Sequence, residues 1–390
     1  MIRLIFILFI SSLSFSAYAI KEVINVGILW GNRPASSVVS IHTGSYTLYG
    51  DNQAVKQLTI NQTMVLRIAG GQVQVTSGGK VVGSYKSVRL KRNTWGSAFN
   101  LKAMSPATAK RTYNDNLKVS VYLNKLKLIN NVYIEHYIGG VVEAESGSRE
   151  TYEYYKVQAI IARTYVLSNL SKYAKFGFNV CDRVNSQVYK GMSTRNPDII
   201  KATNATRGLV LVDSDINLIQ AVFHSNSGGQ TANSEDAWSK EVDYLRSIPD
   251  TFSLDQPHYN WKTFLEKEKW LSYLEKKYSY PVKDSVFLEY VLDYCPTERD
   301  RCLSPLAPNT LLKTIRIDWG FRSTFFSISE GEEGKYVYFE GRGFGHGVGL
   351  SQEGAMRMAE LGIPYNKILK YYYKDTHLIH LSALDFFRGE

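Results

Sequence analysis

Between Ile24 and Ile129 the sequence consists of short strand-like stretches and sustains no helical period. Apolar and polar residues alternate, or β-branched residues cluster, in INVGILW, SVVSIHT, SYTLYG, MVLRIAG, QVQVTS and KVSVYLNKLKLIN. Gly, Asn and Ser separate these stretches, as they do at turns between strands. Because the side chains of a strand alternate between the two faces of a sheet, the pattern predicts a β-rich N-terminal part.

The pattern becomes helical from Glu150 onward. In RETYEYYKVQAIIARTYVLSNLSKYAKFG, apolar residues at three- and four-residue spacing fall on one helix face: Tyr155, Ala159, Ala162, Val166 and Leu170. Ser148 occupies the expected N-cap position, and Gly177 the expected end of the helix. The alanines indicate that this helix packs closely against its neighbours.

The rest of the chain mixes both patterns. The expected elements are a helix near 198–206, strands in GLVLVDS and LIQAVFHS, helices within 255–279, strands in TIRIDWG and KYVYFEGRGFG, and helices at 351–361 and 364–374. Ser351 is the expected N-cap of the first of these last two helices, and Gly362 its end. The predicted fold class is therefore α+β, with β-rich material first and a mixed core of helices and strands after it.

The first residues have the composition of a secretory signal peptide. A short basic start ends at Arg3, the run Leu4 to Ile10 is apolar, and Ala17-Tyr18-Ala19 forms an A-x-A cleavage site. The apolar run is too short to cross a bilayer, and no later segment reaches the length of a membrane helix. We therefore expect residues 1–19 to be removed and the mature protein to work outside the cytoplasm, in the cell envelope.

Beyond the signal peptide we expect a β-rich region at 20–129 and a mixed core with the functional cleft at 130–390. The chain has 46 Lys and Arg against 36 Asp and Glu, a formal net charge of +10. In a secreted protein this charge favours an anionic polymer or the envelope as partner, with solubility alone as the alternative. No RNA- or DNA-binding motif is visible, so nucleic acid is not an expected partner.

The chain has three cysteines, Cys181, Cys295 and Cys302. Cys295 and Cys302 stand close together in CPTERDRC, and in an oxidising compartment we expect them to form a structural disulfide. Cys181 is then either a buried apolar thiol or part of a site.

Three stretches combine glycine with polar side chains: YIGGVVEAESGS, FHSNSGGQT and GRGFGHGVGLSQEGA. In the last, glycine occupies every second position from 341 to 349. A dinucleotide fingerprint needs glycines at i, i+2 and i+5, and a P-loop ends in Gly-Lys-Ser/Thr, so neither nucleotide motif is present. Functional sites form where distant loops converge, so we predict that the three stretches build one site. The alternative is that each stretch is only a tight turn beside a strand.

In this order, the stretches resemble the SpoIID/LytB family, the sporulation protein D and amidase-enhancer group of bacterial cell-wall proteins. LKLINNVYIEHYIGGVVEAE resembles the family's entry segment, and KVQAIIARTYVL resembles its helix, with Gln158, Ala159 and the trio Ala162-Arg163-Thr164. NSQVYKG, ATRGLVL and FHSNSGGQT follow, and GRGFGHGVGLSQEGA is the family's most recognisable motif. The resemblance covers about residues 22–378.

The resemblance implies a lytic transglycosylase, a lyase that cuts peptidoglycan between N-acetylmuramic acid (MurNAc) and N-acetylglucosamine (GlcNAc). One glutamate of raised pKa protonates the leaving oxygen and then takes the proton of the sugar's own 6-hydroxyl, which closes an anhydro ring. The family's catalytic position falls on Glu145. Glu143 would share its face in an extended segment, and we interpret Glu143 as a solvated surface charge.

The resemblance also implies contacts to the glycan. His346 and Gln352 are expected to supply polar groups beside the glycine run, whose bare backbone lets a bulky glycan approach closely. Arg163 is a candidate to hold a substrate carbonyl or carboxyl group, with an ion pair that orients a loop as the alternative. His224, Ser225 and Ser227 are candidates for glycan contact, with hydrogen bonds inside a turn as the alternative.

Two functions are compatible with these residues. The first is a secreted lytic transglycosylase that acts on glycan strands whose stem peptides an amidase has removed. The second is a non-catalytic wall-binding module that stimulates a partner amidase. The glutamate at position 145 favours the enzyme.

Better-known family members have a cysteine, a histidine and a second cysteine associated with bound zinc. Here CDRVNSQVY begins with Cys181 but has Asn185 and Ser186 in the other two positions. A structural zinc site needs about four N, S or O protein ligands, so we expect neither metal nor other cofactor. Elemental analysis should find no stoichiometric zinc, and chelators should leave activity unchanged; about one zinc per chain would contradict this expectation.

Overall fold

The computed structural model describes residues 22–238, 240–331 and 333–384. The predicted signal peptide at 1–19 lies outside these residues. Within them, no helix combines the length and the apolar character needed to cross a membrane. Strands dominate the N-terminal part and both kinds of element follow, which confirms the predicted α+β class.

The N-terminal strands form two largely antiparallel sheets. They are β1 (Val23–Ile28), β2 (Ser36–Thr43), β3 (Tyr46–Gly50), β4 (Gln53–Leu58), β5 (Thr63–Ala69), β6 (Gln72–Ser77), β7 (Lys80–Tyr85), β8 (Ser87–Arg92), β9 (Ala98–Ser105), β10 (Arg111–Asn114), β11 (Asn116–Tyr122) and β12 (Lys125–Tyr133). A seven-stranded sheet has the order β13-β1-β12-β11-β8-β3-β4, where β13 is Val180–Cys181, and a six-stranded sheet has the order β10-β9-β2-β5-β6-β7. The predicted boundary at 129/130 falls inside β12.

The two sheets pack face to face around one hydrophobic core. Leu66 and Val75 from the six-stranded sheet and Leu90 and Leu128 from the seven-stranded sheet belong to the same buried cluster. Inward residues alternate with outward ones along these strands, as the alternating sequence pattern predicted.

Two helices, α1 (Ile134–Ser146) and α2 (Tyr152–Ser168), follow β12 and pack against this core. The N-cap of α2 is Thr151, whose hydroxyl accepts the Tyr154 N–H, and not Ser148 as predicted. The helix ends at Ser168, and Gly177 instead ends a separate short 3-10 turn.

Helix α2 is buried on opposite faces. Tyr155 and Ala159 pack into the core of the sandwich, whereas Val157 and Ile161 pack into a second core together with Val348 and other residues of the C-terminal part. A helix with apolar residues buried on opposite faces belongs between two packed layers of a protein. Helix α2 therefore joins the two cores.

The remaining elements build the second core and a third one. In chain order they are α3 (Pro197–Ala205), β14 (Leu209–Val212), β15 (Phe223–His224), α4 (Ser234–Ala237), β16 (Asn260–Glu266), α5 (Lys267–Tyr278), α6 (Ser285–Leu292), β17 (Cys302–Ser304), β18 (Ala307–Leu311), α7 (Leu312–Trp319), β19 (Phe326–Glu330), β20 (Tyr336–Arg342), β21 (Leu350–Ser351), α8 (Gln352–Glu360), α9 (Tyr365–Tyr372) and β22 (His377–His380). Strand β15 pairs in parallel with β21, β14 pairs with β22, and β16, β20 and β19 form a three-stranded sheet.

Two predictions for this part were wrong. Part of the stretch 255–279 is the strand β16, and only α5 is helical there. TIRIDWG, predicted as a strand, belongs to α7, because Leu312, Ile315 and Trp319 have helical spacing and pack on the third core. The predicted cap and end of α8 are confirmed: the Ser351 hydroxyl accepts the Gly354 N–H, and Gly362 follows the helix with φ +80°.

The predicted disulfide is also wrong, because Cys295 and Cys302 are free thiols in the structure. Cys295 and Cys302 lie beside different pairs of strands. Cys302 pairs with Leu311 in the β17–β18 hairpin, whereas Cys295 follows Tyr294, which bridges Ile328 of β19. Cys181, the third cysteine, is buried.

A buried ion pair fastens α1 to α2. The Nε and Nη2 atoms of Arg163 donate to the two carboxylate oxygens of Glu135 at 2.9 and 2.6 Å. The guanidinium also donates to the carbonyls of Leu209, 3.1 Å away, and Thr203, 3.3 Å away. One side chain therefore connects α1, α2, α3 and β14.

Arg163→Ala is expected to destabilise the fold strongly, since it leaves the Glu135 carboxylate buried without its partner. Breaking a buried pair in this way costs about 3–5 kcal/mol of unfolding free energy. The matched control is Arg357→Ala, which removes an exposed pair with Glu360 and should cost less than about 1 kcal/mol. Urea unfolding measures both, and similar small losses would contradict the assigned role of Arg163.

Candidate active site

A cleft of about 680 Å³ lies where α1, β15 and the glycine run meet. Five of the predicted site residues line it: Glu145, His224, Ser225, His346 and Gln352. They come from all three glycine-containing stretches, so the structure brings these distant parts of the chain together at one place.

The alternating glycines allow the chain to pass directly against β15. Gly343, Gly345, Gly347 and Gly349 all have positive φ, between +72° and +118°. A Cβ at Gly345 would lie 2.7 Å from the Cβ of His224, and a Cβ at Gly349 would lie 2.3 Å from the carbonyl oxygen of Val222. Only glycine fits both the conformation and the space at these positions, and Phe344 and His346 between the glycines line the cleft.

Glu145 lies in the last turn of α1 with one carboxylate oxygen fixed. Its Oε1 accepts the backbone N–H of Val188 at 2.6 Å, and its Oε2 has no hydrogen-bond partner among the described residues. Burial raises the pKa of Glu145, and the Val188 hydrogen bond and the charge of Lys190 offset this rise only in part. The free oxygen is thus suited to carry a proton.

Glu143 points away from Glu145 because α1 is helical here, and the two would share a face only in an extended segment. Two residues correspond to about 200° around a helix, so the two carboxylates lie on different faces. Glu143 accepts hydrogen bonds from the Ser193 hydroxyl and from the backbone N–H groups of Thr194 and Arg195. Its side chain is only 12% exposed, so the predicted solvated surface charge is wrong.

The two histidines of the cleft are neutral and hold defined tautomers. Nδ1 of His224 lies 3.1 Å from the carbonyl of Val348, so it carries the proton and Nε2 is left as an acceptor. Nδ1 of His346 accepts the N–H of Val348 at 3.1 Å, so its proton is on Nε2. Burial lowers the pKa of both rings, and that of His346 falls to about 4.

Gln352 and Ser225 join the start of α8 to the other walls. The Nε2 atom of Gln352 donates to the backbone carbonyl of Glu145 at 3.4 Å. The carbonyl of Ser225 accepts the N–H of Glu353 at 3.0 Å. These contacts fix the position of Glu145 relative to the glycine run.

Two aromatic side chains of the cleft were not predicted. Trp238 is 40% exposed with its ring centroid 5.1 Å from that of His346, and Phe344, inside the glycine run, is 39% exposed. Large apolar rings held at an open cleft offer flat surfaces to a ligand with apolar faces. The position of Phe344 between two glycines of the run could have predicted its place in the cleft. No sequence feature near Trp238 indicated that it lines the cleft.

Arg163 and Ser227 do not reach the cleft, so the prediction that they contact substrate is wrong. Arg163 is fully buried in its ion pair with Glu135, which is the alternative we had considered. Ser227 is also fully buried, and its hydroxyl lies 2.7 Å from a carboxylate oxygen of Asp250 and from the hydroxyl of Ser253. Both side chains support the site from behind.

The segment around Asn185 and Ser186, for which we predicted no zinc, forms one edge of the cleft. Asn185 and Ser186 line the cleft, and the Ser186 hydroxyl accepts the N–H of the buried Cys181 at 3.3 Å. In the described parts of the chain, His, Cys, Asp and Glu side chains do not gather in threes as metal ligands would. The absence of zinc stays a prediction.

Fold and site together define an α+β protein with an open, aromatic-lined cleft built around one carboxyl group. Residues 122–212 match the family model described as SpoIID, Stage II sporulation protein. The chain is 29% identical over 283 residues to Stage II sporulation protein D of Bacillus subtilis (strain 168), covering 68% of this chain and 80% of that protein. The chain therefore carries a SpoIID-family domain, and the predicted resemblance is confirmed.

Two further relatives agree with this assignment. Stage II sporulation protein D of Bacillus amyloliquefaciens is 29% identical over 278 residues, which are 67% of this chain and 78% of that protein. The protein named Amidase enhancer of Bacillus subtilis (strain 168) is 30% identical over 292 residues, which are 61% of this chain and 40% of that longer protein.

Glu145→Gln is expected to raise the free energy of unfolding at pH 7. Because the pKa of Glu145 is raised in the folded state, ionising it costs more there than in the unfolded chain, and wild type carries that cost above the folded pKa. The advantage of the variant should shrink as pH falls through the folded pKa and vanish below the unfolded value, about 4.3.

Urea unfolding of both proteins at pH 7 and pH 4 checks this. The matched control, Glu143→Gln, should instead lose stability at pH 7, because it gives up charge-assisted hydrogen bonds. A wild-type protein more stable than Glu145→Gln at pH 7 would contradict the account of the site.

Proposed function

We propose that the protein is a secreted peptidoglycan lytic transglycosylase that cleaves MurNAc–GlcNAc bonds in peptide-free glycan strands. The observation that carries this proposal is the number of carboxyl groups. Glu145 is the one Asp or Glu side chain among the described residues that line the cleft. A typical glycosidase needs two carboxylates flanking the bond, whereas a lytic transglycosylase can work with one.

The environment of Glu145 suits a general acid. The hydrogen bond from Val188 orients the carboxyl group through Oε1, and the raised pKa favours a proton on the other oxygen. A general acid is most effective when its pKa is brought toward the working pH, and burial does this for a carboxyl group. The neutral histidines cannot replace it, because a ring with a pKa of about 4 holds no acidic proton at pH 7.

The reaction balances with this one group. Protonated Glu145 gives its proton to the glycosidic oxygen, and the bond from C1 of MurNAc to that oxygen breaks. The 6-hydroxyl oxygen of the same MurNAc bonds to C1 and returns its proton to the Glu145 carboxylate. The products are a GlcNAc hydroxyl end and a 1,6-anhydroMurNAc end, and no water is consumed.

The remaining cleft residues suit a carbohydrate ligand. Trp238 and Phe344 offer apolar ring faces to the sugar rings, and the side chain of Gln352 adds a polar group to the wall of the cleft. The formal net charge of +10 matches a polymer that carries carboxylates. The names of the relatives, a sporulation protein and an amidase enhancer, support a role at the cell wall.

The name of one relative favours a second candidate, a non-catalytic module that binds the wall and stimulates an N-acetylmuramoyl-L-alanine amidase. Such a module needs the cleft for binding but has no use for a carboxyl group of raised pKa.

We also propose the division into a signal peptide (1–19), a β-rich region (20–129) and a catalytic core (130–390), with the mature protein in the envelope.

Glu145→Gln is expected to lower cleavage of peptide-free peptidoglycan by about 10²–10⁴-fold, the usual contribution of a general acid–base group. The amide is nearly isosteric and can still accept the Val188 N–H, but it cannot donate the acidic proton. Asp236→Asn is the matched control. Asp236 lines a second cavity that shares Trp238 and His346 with the cleft, and it would be the second carboxylate of a hydrolase. Mass spectrometry of the released fragments measures both.

The control variant tests for a second catalytic carboxylate, and the wild-type protein separates the two candidate functions. Activity equal to wild type in Asp236→Asn supports the single-carboxylate mechanism, whereas a large loss there would indicate a two-carboxylate hydrolase. If wild type releases no fragments but increases the rate of an amidase on intact peptidoglycan, the binding module is the correct function.

A further inference from the structure

The cleft continues into a second cavity of about 850 Å³. The two share Val184, Asn185, Trp238, Arg316 and His346, so they form one groove. Glu145 lies in the first part, and Arg316 of α7 lies at the junction. A polymeric ligand bound at Glu145 therefore has room to continue past Arg316.

Arg316 is a half-buried cation that forms no ion pair with the residues that the structure describes. Its Nε donates to the carbonyl of Arg322 at 3.2 Å, and its terminal nitrogens have no hydrogen-bond acceptor among the described residues. Burial lowers the pKa of Arg316, and no carboxylate in the described part of the chain offsets this effect. A buried charge costs free energy unless it is paired, so an unpaired one in a groove indicates an anionic ligand.

The wall behind Arg316 does not supply the missing negative charge. Arg299 lies beneath the glycine run, and its acceptors among the described residues are all neutral: the carbonyls of Gln230 and Ser227 and the hydroxyl of Thr324. Burial together with the charges of Arg342 and Arg316 lowers the pKa of Arg299 to about 9. The groove at this point is therefore more positive than Arg316 alone would make it.

The other charged side chains of the second cavity do not neutralise this position. Arg301 and Lys313 add positive charge, while Asp236 and Asp300 add negative charge. Asp300 accepts the hydroxyl of Tyr294 at 2.8 Å, and the carboxylate of Asp236 makes no ion pair with Arg316. The terminal nitrogens of Arg316 therefore stay available to a ligand in the groove.

We propose that Arg316 binds the lactyl carboxylate of a MurNAc residue and so selects strands without stem peptides. The proposal rests on the proposed function, which supplies the glycan. A guanidinium matches a carboxylate with two parallel hydrogen bonds. When a stem peptide is attached, the lactyl group is a neutral amide, which cannot offset the buried charge of Arg316.

This arrangement discriminates through the cost of an unpaired charge. A peptide-free strand brings one carboxylate for each MurNAc and pairs Arg316, whereas a peptide-bearing strand leaves the guanidinium desolvated and unpaired. Sites built around a polar partner reject ligands that lack it more strongly than apolar pockets reject a change of size. Arg316 thus determines specificity and takes no part in the proton transfers of Glu145.

Binding measurements in the Glu145→Gln background test this without cleavage. The ligands are a peptide-free strand, the same strand with its lactyl carboxylates amidated, and a neutral GlcNAc oligomer. Arg316→Gln should weaken binding of the peptide-free strand by about 10–100-fold, the effect of losing charge-assisted hydrogen bonds. Binding of the two neutral ligands should not change, which also shows that the variant is folded.

Two further variants control for charge and surface effects. Arg316→Lys should recover part of the affinity, because it keeps the charge but not the planar fork. Arg357→Gln, on the exposed side of α8, should bind all three ligands like the parent protein.

Two results would overturn the inference: equal losses on all three ligands, or no loss on the peptide-free strand. Failure of the proposed function looks different: wild type would cleave nothing, while Arg316→Gln would still bind the peptide-free strand selectively less well.

Discussion

The buried ion pair between Arg163 and Glu135 fixes helix α1 relative to α2, and the rest of the site depends on the position of α1. Helix α2 packs into two hydrophobic cores at once, so it cannot move without disturbing both. A charge on such a helix needs a partner, and Glu135 of α1 supplies it at 2.6 Å. Because α1 is held at its start by this pair and along its length by the cores, its last turn presents Glu145 at the edge of the cleft, where the Val188 N–H orients it.

One physical cause, partial removal of water from the groove, acts on each ionisable group in the direction that the proposed chemistry needs. Burial raises the pKa of Glu145 and favours its protonated form, and it lowers the pKa of His224 and His346 and keeps both rings neutral. The same burial leaves the Arg316 guanidinium partly desolvated and without a carboxylate partner among the described residues. The alternating glycines make this possible, because they let the wall that carries His346 lie directly on β15.

Much of this arrangement was predictable from the sequence, and the exceptions have physical reasons. The alternating strands, the helix with alanines and the convergence of Glu145, His224 and His346 followed from periodicity and motif order. Helix α1 could not be predicted in this way, because Gly139 and Gly140 normally disfavour a helix. In the structure a Cβ at Gly140 would lie 2.1 Å from the Gly191 carbonyl oxygen, so close packing requires glycine at this position. The sequence around Arg163 is the same whether its guanidinium binds a ligand or pairs with Glu135. Only the tertiary contacts distinguish these two roles.

The central claim is that one carboxyl group performs both proton transfers without a water nucleophile. Cleavage of peptide-free peptidoglycan in water enriched in heavy oxygen tests it most directly, with mass spectrometry of the new MurNAc ends. The account predicts 1,6-anhydro ends that contain no heavy oxygen, because the 6-hydroxyl of the sugar attacks C1. Reducing ends that carry one heavy oxygen from the solvent would contradict it, since they require an activated water and a second catalytic base.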